Sequence, residues 1–169
     1  MRVCIKATLL SLFLLYAFTA TPLLAFEASS YGDGWSKTTP AVNLTHVFDG
    51  QINRNGKPTG FHHRVMGQDK PAAKLSKLLA GPNKVGIYTA LVRILDKSQN
   101  IWKEKFSSLF PDRFGKLQVL KAILNAYKNN TLKSGRKWRG PSGFGFMVEG
   151  YQLKDGRIIT AYPIYAKNE

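Results

Sequence analysis

Residues 144–164, F-G-F-M-V-E-G-Y-Q-L-K-D-G-R-I-I-T-A-Y-P-I, contain the strongest structural signal in this chain. They consist of two strand-like runs, 144–153 and 157–164, separated by the tripeptide K-D-G. An Asp-Gly pair between two such runs is a strong hairpin signal, because both residues tolerate the positive φ angles of tight hairpin turns. The sequence therefore predicts an antiparallel hairpin in the last part of the chain.

Upstream segments predict one sheet and two helices. Residues 85–96, V-G-I-Y-T-A-L-V-R-I-L-D, are β-branched or aromatic on both faces and predict a central strand, with 101–106 as a short partner. Lys70–Leu79 predicts a helix with a proline in its first turn. A longer helix, capped by Asp112 and running to about Tyr127, has one apolar stripe at helical spacing. The predicted fold class is α+β, a small twisted antiparallel sheet with packed helices.

Three other segments have weaker patterns. Residues 50–60 are rich in Gly, Asn and Gln and predict a mobile loop. Residues 129–143, N-N-T-L-K-S-G-R-K-W-R-G-P-S-G, predict a second loop. Residues 43–49 fit either a short helix or a strand.

The first 25 residues have the pattern of a secretory signal peptide. A short basic segment precedes an apolar run that extends to Ala25, the predicted cleavage site, with Ala20 as the alternative. An uncleaved membrane anchor is the competing interpretation, but the run is short for a span of about 20 residues. Residues 26–41 predict a linker and residues 42–169 one globular domain, secreted or periplasmic.

The charge balance is strongly basic. The chain has 25 Lys and Arg against 10 Asp and Glu, a formal net charge of +15, and loss of the two basic signal residues takes it to +13. Such an excess favours an anionic partner: nucleic acid, an acidic membrane or an acidic inhibitor protein. The single cysteine, Cys4, leaves with the signal peptide, which excludes disulfides and thiolate chemistry from the mature domain.

Three histidines, His46, His62 and His63, are the candidate proton-transfer groups. Cleavage of RNA by its own 2′-hydroxyl needs a base, an acid and a cation, and two imidazoles with a Lys or Arg supply them without metal. His46 and His62 are the expected pair, with His63 as a competitor for the second position. Thr160 and Tyr162 share one face of the predicted last strand, where they can orient a nucleotide.

Four motifs together resemble the bacterial EndoU nuclease domain over roughly residues 42–166: T-H-V-F-D-G, G-F-H-H-R, R-G-P-S-G-F-G-F-M-V-E-G-Y and D-G-R-I-I-T-A-Y-P-I-Y. The resemblance implies a fold similar to barnase and RelE type RNases. It also implies an endoribonuclease that leaves a 2′,3′-cyclic phosphate end. The family's two histidines fall on His46 and His62, and its Ser/Thr-x-Tyr motif on Thr160 and Tyr162. These four residues are the expected catalytic set.

The catalytic lysine of that family has no recognisable motif in this chain. Lys84, Lys133 and Lys137 are candidates by their order along the chain. Arg64 is the cation nearest to His62 in sequence, and at i and i+2 the two would share a strand face. Arg64 and Lys137 are therefore expected to contact phosphate.

Lys137 and Arg139 flank Trp138 in the predicted second loop. A ring between two cations suits single-stranded RNA, where phosphate neutralisation and base stacking supply affinity. No cluster of Asp, Glu and His has metal-ligand spacing, so neither a metal nor another cofactor is expected.

The predicted function is an exported, metal-independent, monomeric endoribonuclease. An exported RNase suits a toxin, and the immunity partner of so basic a toxin would be an acidic protein. No stable membrane insertion is expected after signal cleavage. The alternative is a non-enzymatic cationic RNA- or envelope-binding protein. A membrane-active protein fits less well, because the long predicted helix has few cations.

Overall fold

The computed structural model describes residues 34–132 and 135–168, together with the backbone of Tyr31–Gly32. The predicted signal peptide lies outside these residues. The described strands and α-helix are β1 Tyr31–Gly32, β2 Trp35–Ser36, β3 Gln51–Ile52, β4 Pro58–Thr59, β5 Ala73–Ala80, β6 Tyr88–Asp96, β7 Ile101–Leu109, α1 Lys116–Lys128, β8 Lys137–Pro141, β9 Met147–Gln152 and β10 Ile158–Pro163. Within this part of the chain, no helix has the length and apolarity needed to cross a membrane.

Two three-stranded antiparallel sheets form the body of the domain. β5, β6 and β7 make the first sheet in that order, and β8, β9 and β10 make the second. β1 pairs with β2 and β3 with β4 in two small ribbons. The predicted hairpin is confirmed: β9 and β10 are antiparallel, and Leu153 N donates to Arg157 O at 2.7 Å across the turn.

The edge strand β8 corrects the prediction of a loop over residues 129–143. β8 pairs with β9, and its residues alternate between core and solvent. Trp138 is 2% exposed and lies opposite Gly150, which leaves room for the indole ring. The prediction was wrong because Lys, Arg, Gly and Pro around Trp138 give no alternation of apolar and polar residues. The alternation of buried and exposed positions arises only when β8 pairs with β9 and packs against α1.

The predicted central strand is confirmed as β6, which pairs with β5 on one side and β7 on the other. The helix predicted over Lys70–Leu79 is wrong, since Ala73–Ala80 forms β5 instead. Leu75, Leu78 and Leu79 recur at helical spacing by coincidence. β5 is an edge strand with two register shifts, so its half-buried residues lack strict alternation.

The long predicted helix is confirmed as α1, whose apolar stripe packs against β8 and β9. The predicted cap at Asp112 is wrong, because α1 begins after Gly115. Gln118 Oε1 accepts a hydrogen bond from Gly115 N at 2.8 Å. The Asp112 carboxylate instead accepts from the Tyr88 hydroxyl at 2.6 Å, a tertiary contact that local sequence does not reveal.

The domain is therefore α+β, but its described residues contain more strand than predicted and a single α-helix. One core lies between α1 and the second sheet, and another lies under the first sheet around Phe61. His46 sits on a π-helical turn, Thr45–Asp49.

The structure describes the part of the predicted linker from residue 34 onward. There Ser36 Oγ accepts a hydrogen bond from Val42 N at 2.8 Å, which joins this segment to the start of the predicted domain. The linker boundaries at residues 26–41 stay a prediction.

Gly150→Ala is expected to lower the free energy of unfolding by roughly 1–3 kcal/mol. A Cβ at this position would overlap the Trp138 ring and the Thr160 carbonyl. Urea unfolding of the purified variant measures the change. Gly81→Ala is the matched control, because a Cβ there meets nothing within 4 Å. Equal stability of the two variants would contradict the close packing of β8 on β9.

Candidate active site

A cleft of about 710 Å³ opens between β7 and the second sheet. Ser108 Oγ donates to Pro163 O at 2.5 Å and ties the two sheets together beside it. Four structural units line the cleft. They are the π-helical turn with His46; the segment with Thr59, Gly60 and His62; the first sheet with Thr89, Lys105, Phe106, Ser107 and Ser108; and the second sheet and the residues after it, with Arg139, Glu149, Tyr162, Pro163, Ile164 and Tyr165.

His46 and His62 reach the cleft from segments that hydrogen-bond to each other. Phe61 N donates to His46 O at 2.8 Å, and His62 N donates to Val47 O at 2.7 Å. Gly60 permits this approach, since its φ is +75° and a Cβ there would clash with the His46 carbonyl. The centroids of the two imidazole rings are consequently 6.0 Å apart.

Backbone and side-chain atoms of β7 set the tautomer of His62. Its Nδ1 lies 3.1 Å from the Ser108 carbonyl and 3.1 Å from Ser107 Oγ. Ser107 Oγ donates its own hydrogen to the Phe61 carbonyl at 2.8 Å, so Nδ1 must be the donor in its contacts. Because a neutral imidazole has one N–H, the Nε2 of neutral His62 carries a free lone pair.

Tyr162 stands beside His62, with ring centroids 5.4 Å apart. Its hydroxyl donates to Glu149 Oε1 at 2.6 Å, and Glu149 also pairs with Arg139 at 2.6 Å and Lys137 at 2.9 Å. Burial opposes ionisation of Glu149, but hydrogen bonds from Tyr162, Lys137 and Arg139 outweigh it and lower its pKa. Burial and the bond to Glu149 raise the pKa of Tyr162, so the phenol stays protonated.

Lys105 is the cation of the cleft that the sequence predictions missed. It lies on β7 opposite Val92, and its Nζ donates to Gly60 O at 2.9 Å. Burial lowers the pKa of Lys105 to about 8. Strand alternation was the signal that could have revealed it. Lys103 and Lys105 pair with the buried Ile94 and Val92 of β6, so they lie on the inner face of the sheet.

The cleft disfavours positive charge until an anion enters. Burial, and then repulsion from Lys105, lowers the pKa of His46 to about 4. Burial, Lys105 and His46 together lower the pKa of His62 well below its usual value. A bound anion would raise all three pKa values, so the same groups that repel each other would attract a phosphate. Among the described residues, no three His, Cys, Asp or Glu side chains group as metal ligands.

Four of the seven predicted site residues line the cleft: His46, His62, Arg139 and Tyr162. Thr160 lies two residues before Tyr162 on β10 but is not among the lining residues, and Lys137 is linked to the cleft through Glu149. Of the other lysines considered, Lys84 does not line the cleft. Lys133 lies outside the described residues.

Arg64 and His63 are directed elsewhere. The segment after His62 is not a strand, and Arg64 Nε pairs with Asp69 at 2.8 Å. A second contact, from Arg64 to Asp112, measures 3.8 Å. His63 is fully buried, and its Nε2 lies 2.9 Å from the Phe114 carbonyl. The geometry therefore brings neither residue to the cleft.

The fold and the cleft together define an acid–base site suited to an anionic substrate. The family model described as bacterial EndoU nuclease matches residues 41–165, and the chain belongs to this family. The resemblance inferred from the motifs is thereby confirmed.

The chain is also similar to a protein described as Toxin from Bacillus cereus (strain ATCC 14579). The two are 29% identical over 120 residues, which cover 71% of this chain and 22% of that protein. The chain thus spans little more than a fifth of the relative's length. No solved structure matches the chain.

The low pKa of His46 predicts a pH-dependent loss of stability. The unfolded state binds a proton near pH 6.5 and the folded state near pH 4, so the free energy of unfolding falls as the pH falls between these values. Urea unfolding of wild type and His46→Asn from pH 4 to 7 tests this. The wild type is expected to lose roughly 2–3 kcal/mol more than the variant over this range. If the free energy of unfolding fell equally with pH in the wild type and in His46→Asn, the lowered pKa of His46 would be contradicted.

Proposed function

We propose that this protein is an endoribonuclease that cleaves RNA by attack of a 2′-hydroxyl on the adjacent phosphorus. The products are a 2′,3′-cyclic phosphate end and a 5′-hydroxyl end. The convergence of His46, His62 and Lys105 beside Tyr162 carries this proposal. These groups supply the base, the acid and the cation that the reaction needs, and the nuclease family supports the same class of reaction.

In this mechanism His62 is the general base. Its Nδ1–H is committed to β7, so Nε2 is the nitrogen with a lone pair for the 2′-hydroxyl proton. The lowered pKa of His62 keeps the ring neutral before substrate binds. The contacts to Ser107 and Ser108 keep the imidazole oriented during the transfer.

His46 is the general acid, and it donates a proton to the departing 5′-oxygen as the P–O bond breaks. Its pKa of about 4 applies to the free enzyme. The bound phosphate opposes the effects of burial and of Lys105, so His46 gains its proton in the complex. Lys105 then stabilises the extra negative charge on the phosphorane, the role that Arg64 or Lys137 was expected to fill.

The second sheet positions the nucleotide. Tyr162 stacks on or beside a base, with its hydroxyl held by Glu149, and Thr160 can hydrogen-bond the nucleotide from the same strand face. Arg139 and Lys137 attract the phosphates that flank the cut. A fold related to barnase and RelE type RNases belongs to the same proposal, supported by the helix packed on a small antiparallel sheet.

We further propose that the protein is an exported monomeric toxin with an acidic immunity partner. The signal-like N-terminal sequence, the basic charge and the similarity to a protein described as Toxin support this assignment. Secreted or periplasmic residence is part of this proposal, and only the signal-like sequence supports it.

Single-residue variants test the mechanism. His46→Ala and His62→Ala should each lower kcat/KM on a uridine-containing oligoribonucleotide by roughly 10²–10⁴-fold. Lys105→Ala should lower it by about 10²–10³-fold through loss of phosphorane stabilisation. Gel or chromatographic analysis of the products measures both the rate and the cyclic phosphate end.

Arg64→Gln serves as the control, because it also removes one cation but lies outside the cleft. It should cleave at close to the wild-type rate once its folding has been verified by thermal melting. A loss as large as that of Lys105→Ala would reassign the third cation. Tight RNA binding by a wild type that cleaves nothing would favour the non-enzymatic alternative.

Lys105 should also set the alkaline limit of activity. It acts as a protonated cation with a pKa of about 8, so kcat/KM should fall as the pH rises through this value. Lys105→Arg should move the decline to higher pH, since a guanidinium stays protonated. Rate measurements from pH 6 to 10 give both profiles. If kcat/KM of Lys105→Arg declined at the same alkaline pH as that of the wild type, a group other than Lys105 would be responsible for the decline.

A further inference from the structure

The outward face of the first sheet carries aromatic side chains that are open to solvent. Alternation places Phe106 opposite Leu91 and Trp102 opposite Leu95 on this face. Phe106 is 57% exposed and Trp102 is 38% exposed. The helix α1 packs against the second sheet, so these rings do not belong to its core.

Cations cross this face between and beside the two rings. Lys74 Nζ lies 4.2 Å from the centroid of the Trp102 ring. Lys77, also on β5, pairs with Leu91 of β6. Arg93 pairs with Glu104 at 3.1 Å, which neutralises the acidic residue in the middle of the face.

The outward face is continuous with the catalytic cleft. Phe106 belongs to the face and also lines the cleft. The next pair along the same side of the sheet, Thr89 and Ser108, lines the cleft as well. Trp102 lies four residues before Phe106 on β7, so the two rings stand about 13 Å apart along the strand. A chain leaving the cleft can therefore follow β7 past both rings.

We propose that this face binds the single-stranded RNA that flanks the cut site. Phe106 and Trp102 stack on bases, while Lys74 and Lys77 contact phosphates. The assignment rests on the proposed ribonuclease function. Rings combined with cations along one track are the usual means of binding single strands with little sequence preference.

The charged row argues for RNA over a protein partner. The centres of protein–protein interfaces are depleted in Lys and Glu, yet Lys74, Arg93 and Glu104 lie side by side across the middle of this face. A protein partner would have to bury all three. A single-stranded nucleic acid would bury little of them, because its phosphates remain hydrated and favour the cations.

Substrate length provides the test. Kinetic constants are measured on a uridine-containing dinucleotide and on a 12-nucleotide RNA with one uridine, for wild type, Trp102→Ala and the double variant Lys74→Gln/Lys77→Gln. The wild type should prefer the long RNA. Each variant should raise KM for the long RNA by roughly tenfold and leave dinucleotide cleavage unchanged. Lys121→Gln/Lys128→Gln on α1 loses the same charge elsewhere and should resemble the wild type.

A titration that needs no cleavage separates this inference from the proposed function. A 12-nucleotide RNA with a 2′-deoxyuridine at the cut site should quench tryptophan fluorescence in wild type and much less in Trp102→Ala. Quenching in Trp102→Ala equal to that of the wild type, together with wild-type KM values in all the variants of this face, would overturn the proposal. A protein partner would then be the better explanation of the exposed face. Absence of any cleavage by wild type would instead contradict the ribonuclease function, while the titration would still decide whether the face binds RNA.

Discussion

Hydrogen bonds made by the main chain of Phe61 and His62 hold the whole site in place. The N–H groups of these two residues donate to the carbonyls of His46 and Val47, and the His62 carbonyl accepts from Phe110 N at 2.8 Å. The segment is thus bound to the π-helical turn on one side and to the end of β7 on the other. Because buried backbone groups must remain paired, it cannot shift without losing these bonds. The fold itself therefore sets the distance between the two imidazoles.

These hydrogen bonds, together with the one from Lys105 Nζ to Gly60 O, bring three basic groups into one cleft. His46, His62 and Lys105 each have a lowered pKa, chiefly because burial disfavours their charged forms. Such an arrangement costs stability in the free protein and is typical of functional sites. The polyanionic substrate that we propose would offset this cost, which would link the electrostatics of the cleft to the basic charge of the whole chain.

The predictions succeeded where a local pattern matches its structural cause. The Asp-Gly turn defines the hairpin, and the apolar stripe defines α1, because both signals act over a few residues. They failed at two of the four edge strands of the main sheets, β5 and β8. Leu75, Leu78 and Leu79 mimic a helix in β5, and Trp138 is masked by its polar neighbours in β8. In these two strands the local pattern is weak or misleading, so their conformation depends on pairing with distant residues that a short window does not contain.

The amino-acid sequence is enough to identify the nuclease family, the candidate histidines His46 and His62, and the shared strand face of Thr160 and Tyr162. The resemblance of the motifs to a known family supports the first two conclusions, and strand alternation supports the third. The packing of distant elements is needed to see that Lys105 lies beside the imidazoles and that Arg64 is directed away from them. The physical reason is that spacing along the chain orders neighbours on one element, whereas contact between elements depends on strand register and packing.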